Sequence, residues 1–384
     1  MVISAVSYKP CWKEDGEWYS SGGFPHQMNG IASPYSLMYL LVPAIQAEGQ
    51  KGGIKLADNI VVVPIQAPKG SGPLRKLFIL TFLPYYLWKF YHYFRKSSVV
   101  HTPLPGDVPL LAFLFALISR KKILARYGSS WKVTNQTSSM HRFTKGAMKF
   151  AAKLGHVMLV TGTGEVPPAP GVEWIFSTSL SADLIEAVSP NCSETLSPVP
   201  QLVYIGRLST EKGVHVLLEA LGKIKKREPE LKFKLNLIGD GPERKKLSDH
   251  AANLDLDSSI IFHGQLNQTE LFDLLPKMDF CVQPSLTEGF SKAWLDAMLC
   301  GLPVLSSNVG AAESVIGNKG ERGWLVQPGD SNELGERIFG LLTVDTLEFG
   351  EMRKACRSYV SDKTLEKWAA KIREICRAKW EEIQ

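Results

Sequence analysis

Two carboxylates, Glu288 and Asp296, stand with seven residues between them in the run Glu-Gly-Phe-Ser-Lys-Ala-Trp-Leu-Asp-Ala-Met. A Gly-Phe-Ser turn follows the first acid and a helix-forming run carries the second. The spacing therefore predicts one acid in a loop at a helix start and the other two turns along that helix. A helix start offers free backbone N–H groups and positive dipole potential, which suit a phosphate. An acid beside such an anion site and another further along could grip the hydroxyls of a sugar nucleotide. Taken alone, the same pattern also fits a loop acid and a solvated helix acid. Its neighbours decide between them.

Upstream, the apolar run 202–205 enters Gly206-Arg207-Leu208-Ser209-Thr210-Glu211-Lys212-Gly213 and then a helical pattern. This places two cations at the mouth of a strand, where open α/β sheets bind ligands. Arg207 offers a planar fork and Lys212 a point charge, a suitable pair for a diphosphate. Further strands ending in glycine follow: 235–241 with Gly239-Asp240-Gly241-Pro242, and 260–266 with Phe262-His263-Gly264-Gln265-Leu266. Next come 279–285 and, beyond the acidic run, Cys300-Gly301-Leu302-Pro303-Val304. A glycine at a helix end followed by an apolar strand fits a buried parallel sheet.

This ordered set resembles the retaining glycosyltransferases of family 4 (glycosyl transferases group 1), strongly over 199–330 and weakly over 1–198. The resemblance implies an α/β, GT-B fold: two Rossmann-like domains with parallel sheets facing across a cleft. It also implies a nucleotide-diphosphate sugar as donor substrate, no cofactor and no metal. By the same resemblance, Glu288, Arg207 and Lys212 act on the sugar and the leaving diphosphate. Gly206, Gly264, Gln265, Leu266, Gly289, Phe290, Ser291, Lys292 and Asp296 hold the donor, and Gly22 and Gly23 approach its diphosphate. The family's second acid is usually glutamate, and here Asp296 is one methylene shorter. The family often has a histidine ending the strand that Ala125-Arg126-Tyr127-Gly128 matches. Tyr127 stands there, so that role is either lost or moved to His101. The acceptor expected is a lipid-linked or cell-envelope glycan, or a small molecule, with no nucleic acid; the alternatives are a non-transferring enzyme of the same fold, such as a nucleotide-sugar epimerase, or a degenerate sugar-nucleotide-binding protein.

The elements that would position these residues read as strand–helix alternation. Strands are expected at 2–6, 38–42, 60–63, 98–101, 122–127 and 157–160, with a helix from about Pro25 to Ser33 and an irregular loop over 161–171. The Pro/Ser-rich stretch 189–200 reads as a linker. This gives an acceptor-binding domain over 1–195 and a donor domain over 196–361. The amphipathic helix within 362–384 is expected to return to the first domain. His101 and Tyr127 end predicted strands, so both are expected to face the cleft.

The chain's 384 residues and 45% hydrophobic content suit two ordinary cores. A net charge of +6 is too mild for a nucleic-acid binder. Cys11, Cys192, Cys281, Cys300, Cys356 and Cys376 are scattered and suggest neither a disulfide framework nor zinc. The N-terminus lacks a signal-peptide pattern, so a cytoplasmic chain is expected and the sequons at Asn135, Asn191 and Asn267 are chance matches. Asp255-Leu256-Asp257 matches a metal-binding pattern in the wrong context, and His215 and His263 have no partner at metal-ligand spacing. Residues 74–96 are aromatic with basic ends, too short and interrupted to span a bilayer. They read either as a core helix pair or as a strip lying on the inner face of a membrane.

Overall fold

A computed structural model describes residues 1–47, 53–70, 72–131, 133, 137–188, 195–317, 320–342, 344 and 346–380. Asn135, Asn191, Cys192 and the first part of the expected linker lie outside the described residues.

The first elements are β1 (Val2–Val6), β2 (Cys11–Glu14), β3 (Glu17–Ser21), α1 (Gly23–Ala32), β4 (Leu37–Ile45), β5 (Gly53–Lys55) and β6 (Ile60–Ile65). Then come α2 (Gly72–Thr81), α3 (Leu83–Phe94), β7 (Val99–Leu104), α4 (Asp107–Ile118), β8 (Lys122–Tyr127), α5 (Ser139–Lys153), β9 (Val157–Thr161) and β10 (Val172–Ile175). The chain continues through α6 (Ala182–Ala187), β11 (Gln201–Ile205), α7 (Val214–Arg227), β12 (Lys234–Ile238), α8 (Arg244–Asn253), β13 (Ile260–Gly264), α9 (Gln268–Leu274) and β14 (Phe280–Gln283). It closes with α10 (Lys292–Leu299), β15 (Val304–Ser307), α11 (Ala312–Ile316), β16 (Gly323–Val326), α12 (Ser331–Leu341), α13 (Thr346–Val360) and α14 (Leu365–Trp380).

The chain divides into two compact units, Met1–Ser179 with Leu365–Gln384, and Leu180–Thr364. The division therefore falls at 179/180 and 364/365, not at 195/196 and 361/362. The short helix α6 belongs to the second unit.

In the first unit, parallel strands run in the order β6-β4-β1-β7-β8-β9-β10. Chain order steps outward from β1 to β4 and β6, then reverses to β7, the doubly wound pattern with a switch between β1 and β7. Pro64 lacks a backbone donor and sits on β6, the terminal strand of this row, where a missing ladder bond costs least. A hairpin that is not among the expected strands, β2–β3, extends the sheet beyond β4. Asp15 and Gly16 turn it, both with positive φ, the Asp-Gly signature of a two-residue turn matched to strand twist.

Helices α3, α4 and α5 pack one sheet face through Phe90, Phe94, Phe113 and Met148. On the other face, α1 meets α14, with Met28, Ile31, Trp368 and Ile372 in one core.

The second unit has six parallel strands in the order β13-β12-β11-β14-β15-β16. Its switch lies between β11 and β14. Asp279, just before β14, is buried and accepts from Gln201 N (2.7 Å), Ser197 N (3.2 Å) and Ser197 Oγ (3.1 Å). Arg353 of α13 faces it at 3.8 Å and donates to Met278 O at 2.9 Å, so this charge pair is dry and internally bonded.

Candidate functional site

Because β11 and β14 are neighbours whose following connections diverge, their carboxyl-end loops, 206–213 and 284–291, meet at the switch point. Specific bonds hold them together. Gln283 Nε2 donates to Ile205 O (3.0 Å), and Leu286 N donates to Glu211 O (2.9 Å). Gly213 takes φ 67°, and a Cβ there would lie 2.0 Å from Pro284 O, so the two loops touch backbone to backbone.

This contact brings Lys212 onto Glu288, whose side chains are 24% and 17% exposed and form an ion pair. The other Glu288 oxygen accepts from Gly289 N at 3.2 Å. A third loop fixes the acid's backbone. Ala311 N donates to Gly289 O (2.9 Å), and Gly310, at φ 58°, leaves no room for a Cβ, which would sit 2.2 Å from Gly289 O. Gly310 was not singled out from the sequence. Nothing local marks it, because the crowding comes from a loop twenty residues away.

The rest of the acidic run forms the expected turn and helix start, but α10 begins only at Lys292, so Asp296 falls one turn into it rather than two. Phe290 is buried and packs edge-on to Trp294 (5.9 Å), pinning the turn from Gly289 into α10. Ser291 is the N-cap of α10 and makes no side-chain cap bond, and the helix presents its positive end to the Glu288 loop. Lys292 is half-buried at that start. Asp296 lies one turn further on and is half-buried. Desolvation raises its carboxyl to about 7, with Lys292 pulling the other way. Arg207 is exposed on the loop after β11; its carbonyl accepts from Tyr204 Oη at 2.9 Å, which frames the turn at Gly206.

At the same sheet edge, Gly264 ends β13 with Gln265 exposed and Leu266 half-buried beyond it. Arg244, which sequence reasoning passed over inside the run Glu-Arg-Lys-Lys, lies over Phe262 (5.6 Å) beside Gly264. His263 is structural, with Nε2 2.9 Å from Asn236 Oδ1. His215 is half-buried on the first turn of α7. Asp255 and Asp257 lie in the turn between α8 and β13.

In the first unit the expected cleft-facing pair is corrected. The strand bearing His101 runs on to Leu104, so His101 is mid-strand, fully buried, with Nδ1 2.9 Å from Leu124 O. Burial and the nearby Arg126 hold it neutral, at about 3. Tyr127 does end β8 but is fully buried, its ring against Trp131 and its hydroxyl 3.2 Å from His141 Nδ1. Neither side chain is open to a substrate. Arg126 is the partly exposed group at that strand end; it donates to Gln27 Oε1 (2.6 Å) and lies over Trp368 (5.5 Å). Gly22 and Gly23 begin α1, but they follow β3, since the hairpin intervenes after β1.

Solved structures share this architecture across the whole chain. Sucrose-phosphate synthase from Thermosynechococcus elongatus superposes with a TM-score of 0.72 at 20% identity, covering 99% of both chains. The Anabaena protein HepE in complex with UDP-glucose does so at 0.65 and 17% identity, covering 98% of this chain and 100% of that one. At such identities the likeness carries the fold alone: the chain has the GT-B fold. Residues 199–343 match the family model described as Glycosyl transferases group 1, so the segment bearing the Lys212–Glu288 pair is of that family. Over 162 residues the chain is 32% identical to glycogen synthase of Mycobacterium tuberculosis (strain CDC 1551 / Oshkosh). That stretch is 42% of this chain and 38% of the relative, so the chain spans about two fifths of the length of the curated relatives it matches.

Proposed function

We propose that the chain is a retaining glycosyltransferase that moves a sugar from a nucleotide-diphosphate donor to an acceptor hydroxyl. The observation that carries this reading is the Lys212–Glu288 pair, set at the N-terminus of α10 with Asp296 one turn beyond. Donor binding separates the pair. Lys212 turns to the diphosphate with Arg207, and Glu288 accepts from the sugar hydroxyls. The amides of Phe290, Ser291 and Lys292 add to the charge stabilisation as the leaving group develops. Asp296 accepts from the ribose hydroxyls, and the backbone of Gly264, Gln265 and Leu266 borders the base. In transfer, the bond from the anomeric carbon to the diphosphate oxygen breaks and the acceptor oxygen bonds to that carbon. The acceptor's proton ends on the released diphosphate. Two side-chain cations and a helix start neutralise that charge without a divalent metal. The acceptor is a lipid-linked or cell-envelope glycan or a small hydroxylated molecule, met on the cytoplasmic side.

The test is incubation of the purified chain with a panel of nucleotide sugars, with and without EDTA. Slow release of nucleoside diphosphate that survives EDTA, and an anomeric NMR signal of unchanged configuration in the product, support the reading. No release and no thermal shift with any donor would refute it; loss in EDTA with rescue by Mn²⁺ would refute the metal-independent mechanism.

A further inference from the structure

The chain's charge is divided very unevenly. Residues 59–164 hold fifteen of its 44 Lys and Arg but one of its 38 acids, Asp107, giving +14, while the remainder of the chain carries −8. That single acid is internally used, in an ion pair with Arg75. The basic window contains the whole α3–α4–α5 layer.

The outer surface of that layer is apolar as well as basic. Helix α3 almost continues α2, since Phe82 N bonds Phe78 O and Tyr86 N bonds Phe82 O, both at 3.0 Å. Along the pair, Leu74, Leu77, Thr81, Pro84, Trp88, Tyr91 and Arg95 are all exposed, at alternating steps of three and four. They therefore form one straight stripe. Leu77 is 59% exposed, Trp88 59% and Tyr91 60%. The opposite side of α3 buries Tyr86, Phe90 and Phe94, so this helix spends large apolar residues on both faces. Beside it, α4 carries no charge after Asp107 and is apolar all round, a pattern that suits burial or lipid. Ile118 at its end is 81% exposed. On α5, Phe143 and Phe150, two turns apart, are each 56% exposed next to Arg142, Lys149 and Lys153.

We propose that this face docks on an anionic lipid bilayer. Apolar and aromatic side chains enter the headgroup boundary, while Lys76, Lys89, Arg95 and Lys96 around the stripe meet lipid phosphates. Long basic side chains suit that arrangement, laying their stems on apolar surface with the charge outward. A nucleic acid would use the cations but has no place for the leucine and aromatic stripe. The contact lies flat on the surface: among the described residues no helix is long and apolar enough to cross a membrane. The inference rests on this surface alone and stands apart from the reaction proposed above.

The test is co-sedimentation of the full chain with phosphatidylcholine vesicles and with phosphatidylcholine–phosphatidylglycerol vesicles. Binding is expected to the anionic vesicles only, and to weaken at high salt. Trp88→Ser/Tyr91→Ser and Lys89→Glu/Arg95→Glu/Lys96→Glu should each lower partitioning about tenfold or more, with circular dichroism unchanged. Phe143→Ser/Phe150→Ser on a different helix should also lower it, and this guards against misfolding of the first two. Equal binding of neutral vesicles, no binding of anionic ones, or wild-type binding by all variants would overturn the proposal. So would a dimer that these substitutions disperse in the absence of lipid.

Discussion

Glu288→Gln should tighten the binding of nucleoside diphosphate while abolishing transfer. In the free protein Glu288 holds Lys212, and both are largely shielded, at 17% and 24% exposure. Unit charges about 4 Å apart attract by roughly 4 kcal/mol at an effective dielectric near 20. Desolvation and side-chain ordering leave a net of about 1–2 kcal/mol. A diphosphate must break this pair before it can use Lys212, so the free enzyme withholds that much affinity. Removing the carboxylate's charge returns it, as a Kd about five- to thirtyfold lower. Lys212→Ala should instead weaken binding by roughly 2–5 kcal/mol, because it removes a cation and leaves Glu288 facing the incoming anion. The double variant should fall between the two and depart from additivity, as expected of residues in contact. Calorimetric titration of the best-binding nucleoside diphosphate into all four proteins reads these changes directly. The reasoning fails if Glu288→Gln binds more weakly than wild type while Lys212→Ala binds unchanged.

Asp296, raised to about 7, is protonated in the free protein below that pH, whereas hydrogen-bond donors from a ribose favour its carboxylate. Nucleotide affinity should therefore rise as pH climbs through 7, with proton uptake by the buffer. Asp296→Asn should flatten the profile and cost about 1–3 kcal/mol of binding at pH 8; an unchanged profile would place this carboxyl outside the site. The same group is ionised in the unfolded chain from about pH 4 upward. The folded state then binds the extra proton, and this group's contribution to stability falls between about pH 4 and 7. Asp279→Ala should lower unfolding stability by about 3–5 kcal/mol in urea titration, since it strands the buried Arg353 charge; a loss under 1 kcal/mol would show that this pair is not dry. Gly310→Ala should reduce turnover far more than nucleotide binding, because its Cβ forces the Glu288–Gly289 backbone to move; equal losses in kcat and affinity would argue for general misfolding.

Much of the second unit was legible because its information is local. Strands such as 202–205 and 235–238 are short apolar runs closed by glycine, and the acids and cations lie in the loops those runs define. The ion pair was not legible, since Lys212 and Glu288 meet only through a strand order that skips from β11 to β14. In the first unit, the Asp-Gly turn of the β2–β3 hairpin was present in sequence and was passed over. His101 was misjudged for a different reason. Its strand continues through Thr102-Pro103-Leu104, and proline at a strand's tail reads as its end. Tyr127 was correctly placed at a strand end. What lay outside the sequence reading was the packing of Trp131 and His141 over it.

The order in which a ribosome releases the chain gives α14 a second meaning. Residues 180–364 form their unit from one continuous stretch, so that unit has all its parts once Thr364 emerges. The first unit has made every strand of its sheet far earlier, yet the core beneath α1 still lacks Trp368, Ile372 and Trp380 of α14. It must wait, partly uncovered, while residues 180–364 are made. The later-made half is thus positioned to finish first, and a fragment ending at Ser179 should be found with chaperones or in aggregates.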